Sequence, residues 1–138
     1  MISNSLLTSI ADRVGTPVMI YDEDMIRGIM KTFTSNFKSN KFETRVLYAS
    51  KAFICGHMAR IVAEENLYFD AVSGGEIFLI TRATGLDAGR IYFHGNNKTK
   101  NEIREFLNLG EGHIVLDNLD ELMLLHDITE KTGQSANV

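Results

Sequence analysis

The 138-residue chain has one proline, one cysteine and no tryptophan. The lone cysteine, Cys55, excludes an internal disulfide framework and fits a reducing compartment, so a cytoplasmic protein is expected. A single proline, Pro17, leaves almost the whole chain free of that helix breaker. No apolar run approaches the ~20 residues needed to span a bilayer, so no membrane association is expected. No basic run occurs and the formal net charge is -4, which argues against a nucleic-acid surface. Met1-Ile2-Ser3-Asn4-Ser5 has no positive segment leading into an apolar one and does not read as a secretory signal.

What is present is an ordinary globular balance, 44% apolar and 23% charged, enough for one domain or a piece of one with a core. Leu6, Leu7, Ile10 and Val14 have helical spacing, and Gly15 ends it. Pro17-Val18-Met19-Ile20-Tyr21 reads as a strand with proline at its first position. Asp22 is a candidate cap for a helix carrying Met25, Ile26, Ile29, Met30, Phe33 and Phe37. Residues 38–44 form a polar connection.

From Val46 the chain is periodic. Strand-like runs begin at Val46, Tyr68, Ile91 and Ile114, about 22 or 23 residues apart. Between them lie helical patterns: Ile54, Met58, Ile61 and Val62; Ile77, Leu79, Ile80 and Ala83; Ile103, Phe106 and Leu107; and, after the last run, Leu122, Met123, Leu125, His126 and Ile128. Gly85, Gly110 and Gly133 stand where helices hand back to strands. Such alternation predicts an α/β fold with parallel strands and right-handed crossovers. Four βα units amount to half of an eight-unit TIM-type barrel, with a further strand starting near Ala136. The expected division is an arm over 1–44, helix then strand then helix, and a half-barrel over 45–138 that stops at the start of strand five.

The residues that close each strand carry the chemistry. Val46-Leu47-Tyr48-Ala49 runs into Ser50-Lys51, and a cation at the exit of a buried strand serves packing poorly unless its stem snorkels. The second strand passes from Asp70 into Ser73-Gly74-Gly75-Glu76, the third ends in His94-Gly95-Asn96-Asn97-Lys98, and the fourth in Asp117-Asn118. In a parallel barrel these ends converge on one rim. Ser73, Asn97 and Asp117 also read as helix caps, and Ser73-Gly74-Gly75 as either a tight capped turn or a phosphate cradle. His94, His113 and His126 fall on different elements and Cys55-x-His57 lacks partners, so no metal site is expected, and Cys55 reads as a packed helix residue.

Taken together, Tyr48-Ala49-Ser50-Lys51-Ala52, Asp70-Ala71-Val72-Ser73-Gly74-Gly75-Glu76 and His94-Gly95-Asn96-Asn97-Lys98, in that order and spacing, resemble the diaminopimelate decarboxylases. The resemblance runs from about residue 17 to the end. It implies a pyridoxal 5'-phosphate enzyme of the alanine-racemase-like group, with an eight-unit barrel, a β-domain and a dimeric assembly. By resemblance, Lys51 is the catalytic lysine that holds the cofactor as a Schiff base, and partial burial at the barrel mouth would favour its neutral amine. Asp70 and His94 are implied in cofactor binding, and Ser73 and Asn96 in the wall of the site. The implied reaction converts meso-diaminopimelate to L-lysine and carbon dioxide, the substrate being a small amino acid and the assembly a homo-oligomer. Phe53 departs from the asparagine that many members carry two residues after the lysine. The family's glycine-rich phosphate loops and substrate arginine lie later in the sequence, so this chain is expected to be inactive alone. An ornithine- or arginine-type decarboxylase of the same fold, and a non-catalytic half-barrel assembling through its edge strands, are the alternatives.

Overall fold

A computed structural model describes residues 2–138. Two helices come first, α1 (Asn4–Val14) and α2 (Glu23–Asn36). Four parallel strands then alternate with helices: β1 (Leu47–Ala49), α3 (Gly56–Glu64), β2 (Tyr68–Ala71), α4 (Gly74–Thr84), β3 (Ile91–Phe93), α5 (Lys100–Leu107), β4 (His113–Ile114) and α6 (Leu119–Thr132). The strands lie in chain order, β1-β2-β3-β4, every pair parallel. This is the arrangement expected of the first half of a (β/α)8 barrel.

Alternation along the strands sorts the side chains. Phe69, Ala71, Ile91, Phe93 and Ile114 point at the helices and are buried. They meet Ile61 and Val62 of α3, Ile77 and Ile80 of α4, Ile103 and Phe106 of α5, and Leu125 and Ile128 of α6, all in one apolar cluster. The Phe93 and Phe106 rings stand 5.3 Å apart, tilted. The other strand face carries Tyr68, Asp70, Tyr92 and His113, half-buried and more polar. Tyr92 stacks on His113 at 4.4 Å, and Arg45 donates to the Tyr92 hydroxyl at 3.0 Å.

Helix α2 is fastened to α3 by charge. Arg27 reaches Glu64 at 2.6 Å and Glu65 at 2.9 Å, while His57 Nε2 lies 2.7 Å from Glu23. Asp22 caps α2 by accepting from the Met25 N–H, as its position predicts. Gly15, Gly85 and Gly133 follow α1, α4 and α6, the last two in the left-handed conformation.

Three expectations need correction. Residues 17–21 form no strand: they have no ladder partner among the described residues, so the arm is helix, connection, helix. Helix α5 is capped by Thr99, not Asn97, because Thr99 and Glu102 form a reciprocal capping box. Helix α6 is capped by Asn118, whose side chain accepts from the Glu121 N–H, leaving Asp117 free for other contacts. Gly110 stands in the connection from α5 to β4, as expected, two residues past the C-cap Asn108. The strand expected near Ala136 is present as a single parallel bridge, His113 with Asn137.

Two glycines separate packing from conformation. A Cβ on Gly112 would stand 2.3 Å from the Phe106 ring and 2.8 Å from the Ala88 carbonyl, whereas one on Gly28, inside α2, would meet nothing within 4 Å. Gly112→Ala is expected to destabilise by about 1–3 kcal/mol through overpacking. Gly28→Ala is expected to stabilise by about 0.5–1 kcal/mol. Urea denaturation midpoints of the two variants check the opposite signs.

Candidate active site at the strand ends

The parallel register sets the site. Ala49, Asp70, Tyr92 and His113 pair across the four strands at one level. Two residues further on, the same side of the sheet carries Lys51, Val72 and His94. These last three line a cleft of about 330 Å³, together with Gly95, Asn96 and Asp117.

His94 is the hub. Its Nδ1 lies 3.2 Å from Asp70 Oδ1 and its Nε2 lies 3.8 Å from Asp117 Oδ1. The ring thus sits between two carboxylates from neighbouring strand ends, each able to balance a positive imidazole. Its own N–H donates to the Ala71 carbonyl at 2.8 Å, which continues the β2–β3 ladder into the loop. Gly95 then adopts φ +100, and a Cβ there would come 2.7 Å from the Val72 carbonyl, so only glycine lets the third loop press against the second.

Lys51 sits in a short 3-10 turn, Ser50–Ala52, directly after β1. It is exposed, so the partial burial expected of it is absent. It makes no hydrogen bond or ion pair among the described residues. Lys98, by contrast, is buried beneath the loop and bound to Glu121 and the Gly95 carbonyl. Lys51 is therefore the one amine lining the cleft. Ser50, preceding it, is 1% exposed with an unpartnered hydroxyl.

Of the residues singled out from sequence, Lys51, His94 and Asn96 line the cleft, and Asp70 joins through His94. Ser73 does not: its hydroxyl accepts from the Glu76 N–H as the cap of α4. Nor does the Ser73-Gly74-Gly75 turn offer an open phosphate cradle. The Gly74 N–H already donates to Glu102 at 2.9 Å, and a Cβ on Gly74 would lie 3.1 Å from the Glu102 side chain. Sequence reasoning read Asp117 as a cap and passed over Glu121. The signal was available: glutamate stands three residues after the caps of α4, α5 and α6, at Glu76, Glu102 and Glu121, a repeated capping-box spacing.

The donor set suits an aldehyde-bearing cofactor at one end. It offers an uncommitted amine, an imidazole and two carboxylates around one cleft, and no open anion site at the start of α4. A larger groove of about 460 Å³ runs between α2 and the open edge of β1, but its walls are apolar apart from two tyrosines and it holds none of these groups.

Residues 23–138 match the model of the pyridoxal-dependent decarboxylase family, pyridoxal binding domain. The chain is 44% identical to the diaminopimelate decarboxylase of Staphylococcus aureus over 93% of its own length and 30% of that enzyme's. It is 43% identical to the Bacillus subtilis enzyme of that name, over 94% of this chain and 29% of the other. Among solved structures, the M. jannaschii diaminopimelate decarboxylase in complex with L-lysine superimposes with a TM-score of 0.83 at 28% identity, covering 96% of this chain and 31% of that one. The chain therefore spans about three tenths of the length of the relatives it matches.

Glu102 gives the site a pH signature. Its carboxyl is held below the usual value by the Gly74 N–H, then by the Thr99 hydroxyl and N–H, against an opposing effect of burial. A lowered folded value means that its contribution is complete above the ordinary glutamate value and fades as pH falls through the folded value. Glu102→Gln is expected to cost about 1 kcal/mol near neutral pH. The difference from wild type should shrink below about pH 4. Denaturant titrations at the two pH values measure it.

Proposed function

Since the chain belongs to the pyridoxal-dependent decarboxylases through their pyridoxal-binding domain, we propose that it supplies the cofactor-holding lysine of a diaminopimelate decarboxylase. The cofactor of this family is pyridoxal phosphate. The observation that carries the reading is the convergence of Lys51, His94 and Asn96 on one cleft, with Asp70 bonded to His94. In this reading Lys51 Nζ is the catalytic amine that would hold the cofactor, with Asp70 and His94 beside it and Asn96 on the wall. When bound, pyridoxal phosphate supplies the electron sink that takes up charge as carbon dioxide leaves.

An amine must be neutral to act as a nucleophile, so Lys51 has to give up a proton. His94, held between Asp70 and Asp117, lines the same cleft as Lys51. The open side of the cleft leaves Lys51 accessible to an incoming aldehyde. Ser73 contributes by fixing the start of α4, a role short of the wall position first assigned to it.

The substrate reading, meso-diaminopimelate decarboxylated to L-lysine, is supported by the names of the relatives at 44% and 43% identity. Assembly as a homo-oligomer and a cytoplasmic location belong to the same reading, and the unpaired Cys55 agrees with the latter. No helix among the described residues is long and apolar enough to cross a membrane.

Incubation with pyridoxal phosphate, borohydride reduction and peptide mass mapping tests the site. The expected result is a stable adduct on Lys51 in the wild type and none at that position in Lys51→Ala. Equal labelling of Lys31 and Lys100 on the surface would defeat the assignment.

A further inference from the structure

Lys98 follows the His94-Gly95-Asn96-Asn97 loop, yet its side chain is only 1% exposed, and that of its partner Glu121 is 8%. Lys98 Nζ donates to the two Glu121 oxygens at 3.1 and 2.9 Å and to the Gly95 carbonyl, which uses all three ammonium donors. Glu121 Oε2 also accepts from the Asp117 N–H at 3.0 Å. One carboxylate therefore joins the loop after β3 to the loop after β4. Each loop carries one member of the rim cluster, His94 on the first and Asp117 on the second. Neither Lys98 nor Glu121 lines the cleft.

Capping does not require this arrangement. Asn118 already caps α6 by accepting from the Glu121 N–H. The corresponding glutamate on α4, Glu76, reaches back to the Val72 N–H with no buried cation beside it. Burying an ammonium and a carboxylate carries a desolvation cost that a cap alone would avoid. What the pair adds is a fixed spacing between two loops.

We infer that Lys98 and Glu121 are positioning residues, which set the spacing of His94 and Asp117, and through His94 that of Asp70, around Lys51. The inference rests on Lys51 being the cofactor-holding amine. Neither residue touches the reacting groups; both act through the loops.

The test replaces the pair together, Lys98→Met with Glu121→Leu, in the full chain, so that no charge is stranded. Lys98→Met alone and the wild type are measured beside it. Three quantities are followed: the thermal midpoint, hydrogen exchange of the Asp117 amide, and the amount of pyridoxal phosphate trapped on Lys51 by borohydride at limiting cofactor. The double variant is expected to keep a midpoint near wild type. Its Asp117 amide should nevertheless exchange about tenfold faster, and trapping at Lys51 should fall about tenfold. The single variant strands Glu121 and should lose stability as well. If the double variant does not fold, Lys98→Met with Glu121→Gln keeps an acceptor for the Asp117 amide, strands no charge and cuts only the tie to the Gly95 loop, so trapping should fall while Asp117 exchange stays near wild type. A folded double variant with wild-type exchange and wild-type trapping overturns the inference and leaves the cofactor site standing. A wild-type chain that traps nothing on Lys51 removes the cofactor reading and this inference with it.

Discussion

Everything at the mouth of this half-barrel depends on the parallel ladder. Parallel strands carry side chains of equal level in the same direction, so a reactive group placed two residues past one level meets its counterparts on the neighbouring strands. Ala49, Asp70 and Tyr92 are aligned by the β1–β2 and β2–β3 registers. Lys51 and His94 are therefore brought to one rim by the backbone, before any side-chain contact is made. A slip of one residue in β2 would turn Asp70 toward the helices, where an unpaired carboxylate is costly, and would expose Phe69 instead. Because β1, β3 and β4 are only three, three and two residues long, the helices must hold that register. The buried isoleucines and phenylalanines behind the sheet do this by packing against α3 to α6.

The loops that carry the chemistry are then tied to one another by carboxylates. Glu102 of α5 reaches the Gly74 N–H at the start of α4, and Glu121 of α6 reaches both Lys98 and the Asp117 N–H. Each helix thus steadies the loop before its neighbour as well as its own. Glu121 is kept below the ordinary carboxylate value even though burial pushes it upward, because the Asp117 N–H and Lys98 outweigh the burial. The same interactions that hold the proton off Glu121 hold the two rim loops at a fixed distance. A buried pair of this kind gives little net stability when intact, but removing one partner costs about 3–5 kcal/mol. It therefore specifies geometry more than it stabilises.

Much of this was legible in the sequence. The beat of about 22 or 23 residues placed the strands within a residue of Leu47, Tyr68, Ile91 and His113, because apolar runs that feed a parallel sheet are continuous and easily seen. The cap at Ser73 was legible for the same local reason: a hydroxyl before a glycine-led helix has one obvious acceptor role. Asp117 was not, since Asp117 and Asn118 are both good caps and only the three-dimensional path decides which side chain turns back. Residues 17–21 looked like a strand because their pattern suits one, but a strand is a relation between two segments, and sequence reports only one of them. Glu121 was missed because its partner Lys98 is 23 residues away, beyond any helical or strand period.

The occupied start of α4 bears on how the cofactor must be gripped. A helix start with free N–H groups attracts phosphate, and Ser73-Gly74-Gly75 had the composition for it. Here the Ser73 hydroxyl is committed to the Glu76 N–H, and the Gly74 N–H is committed to Glu102. A phosphate entering this turn would have to displace a carboxylate that already accepts three hydrogen bonds, from Gly74 and from both donors of Thr99. Two anions would then compete for the same donors. The start of α4 therefore offers no open cradle for a phosphate. In the proposed reading the phosphate grip comes from donors outside this turn, which separates capture of the carbonyl carbon at Lys51 from anchoring of the cofactor as a whole.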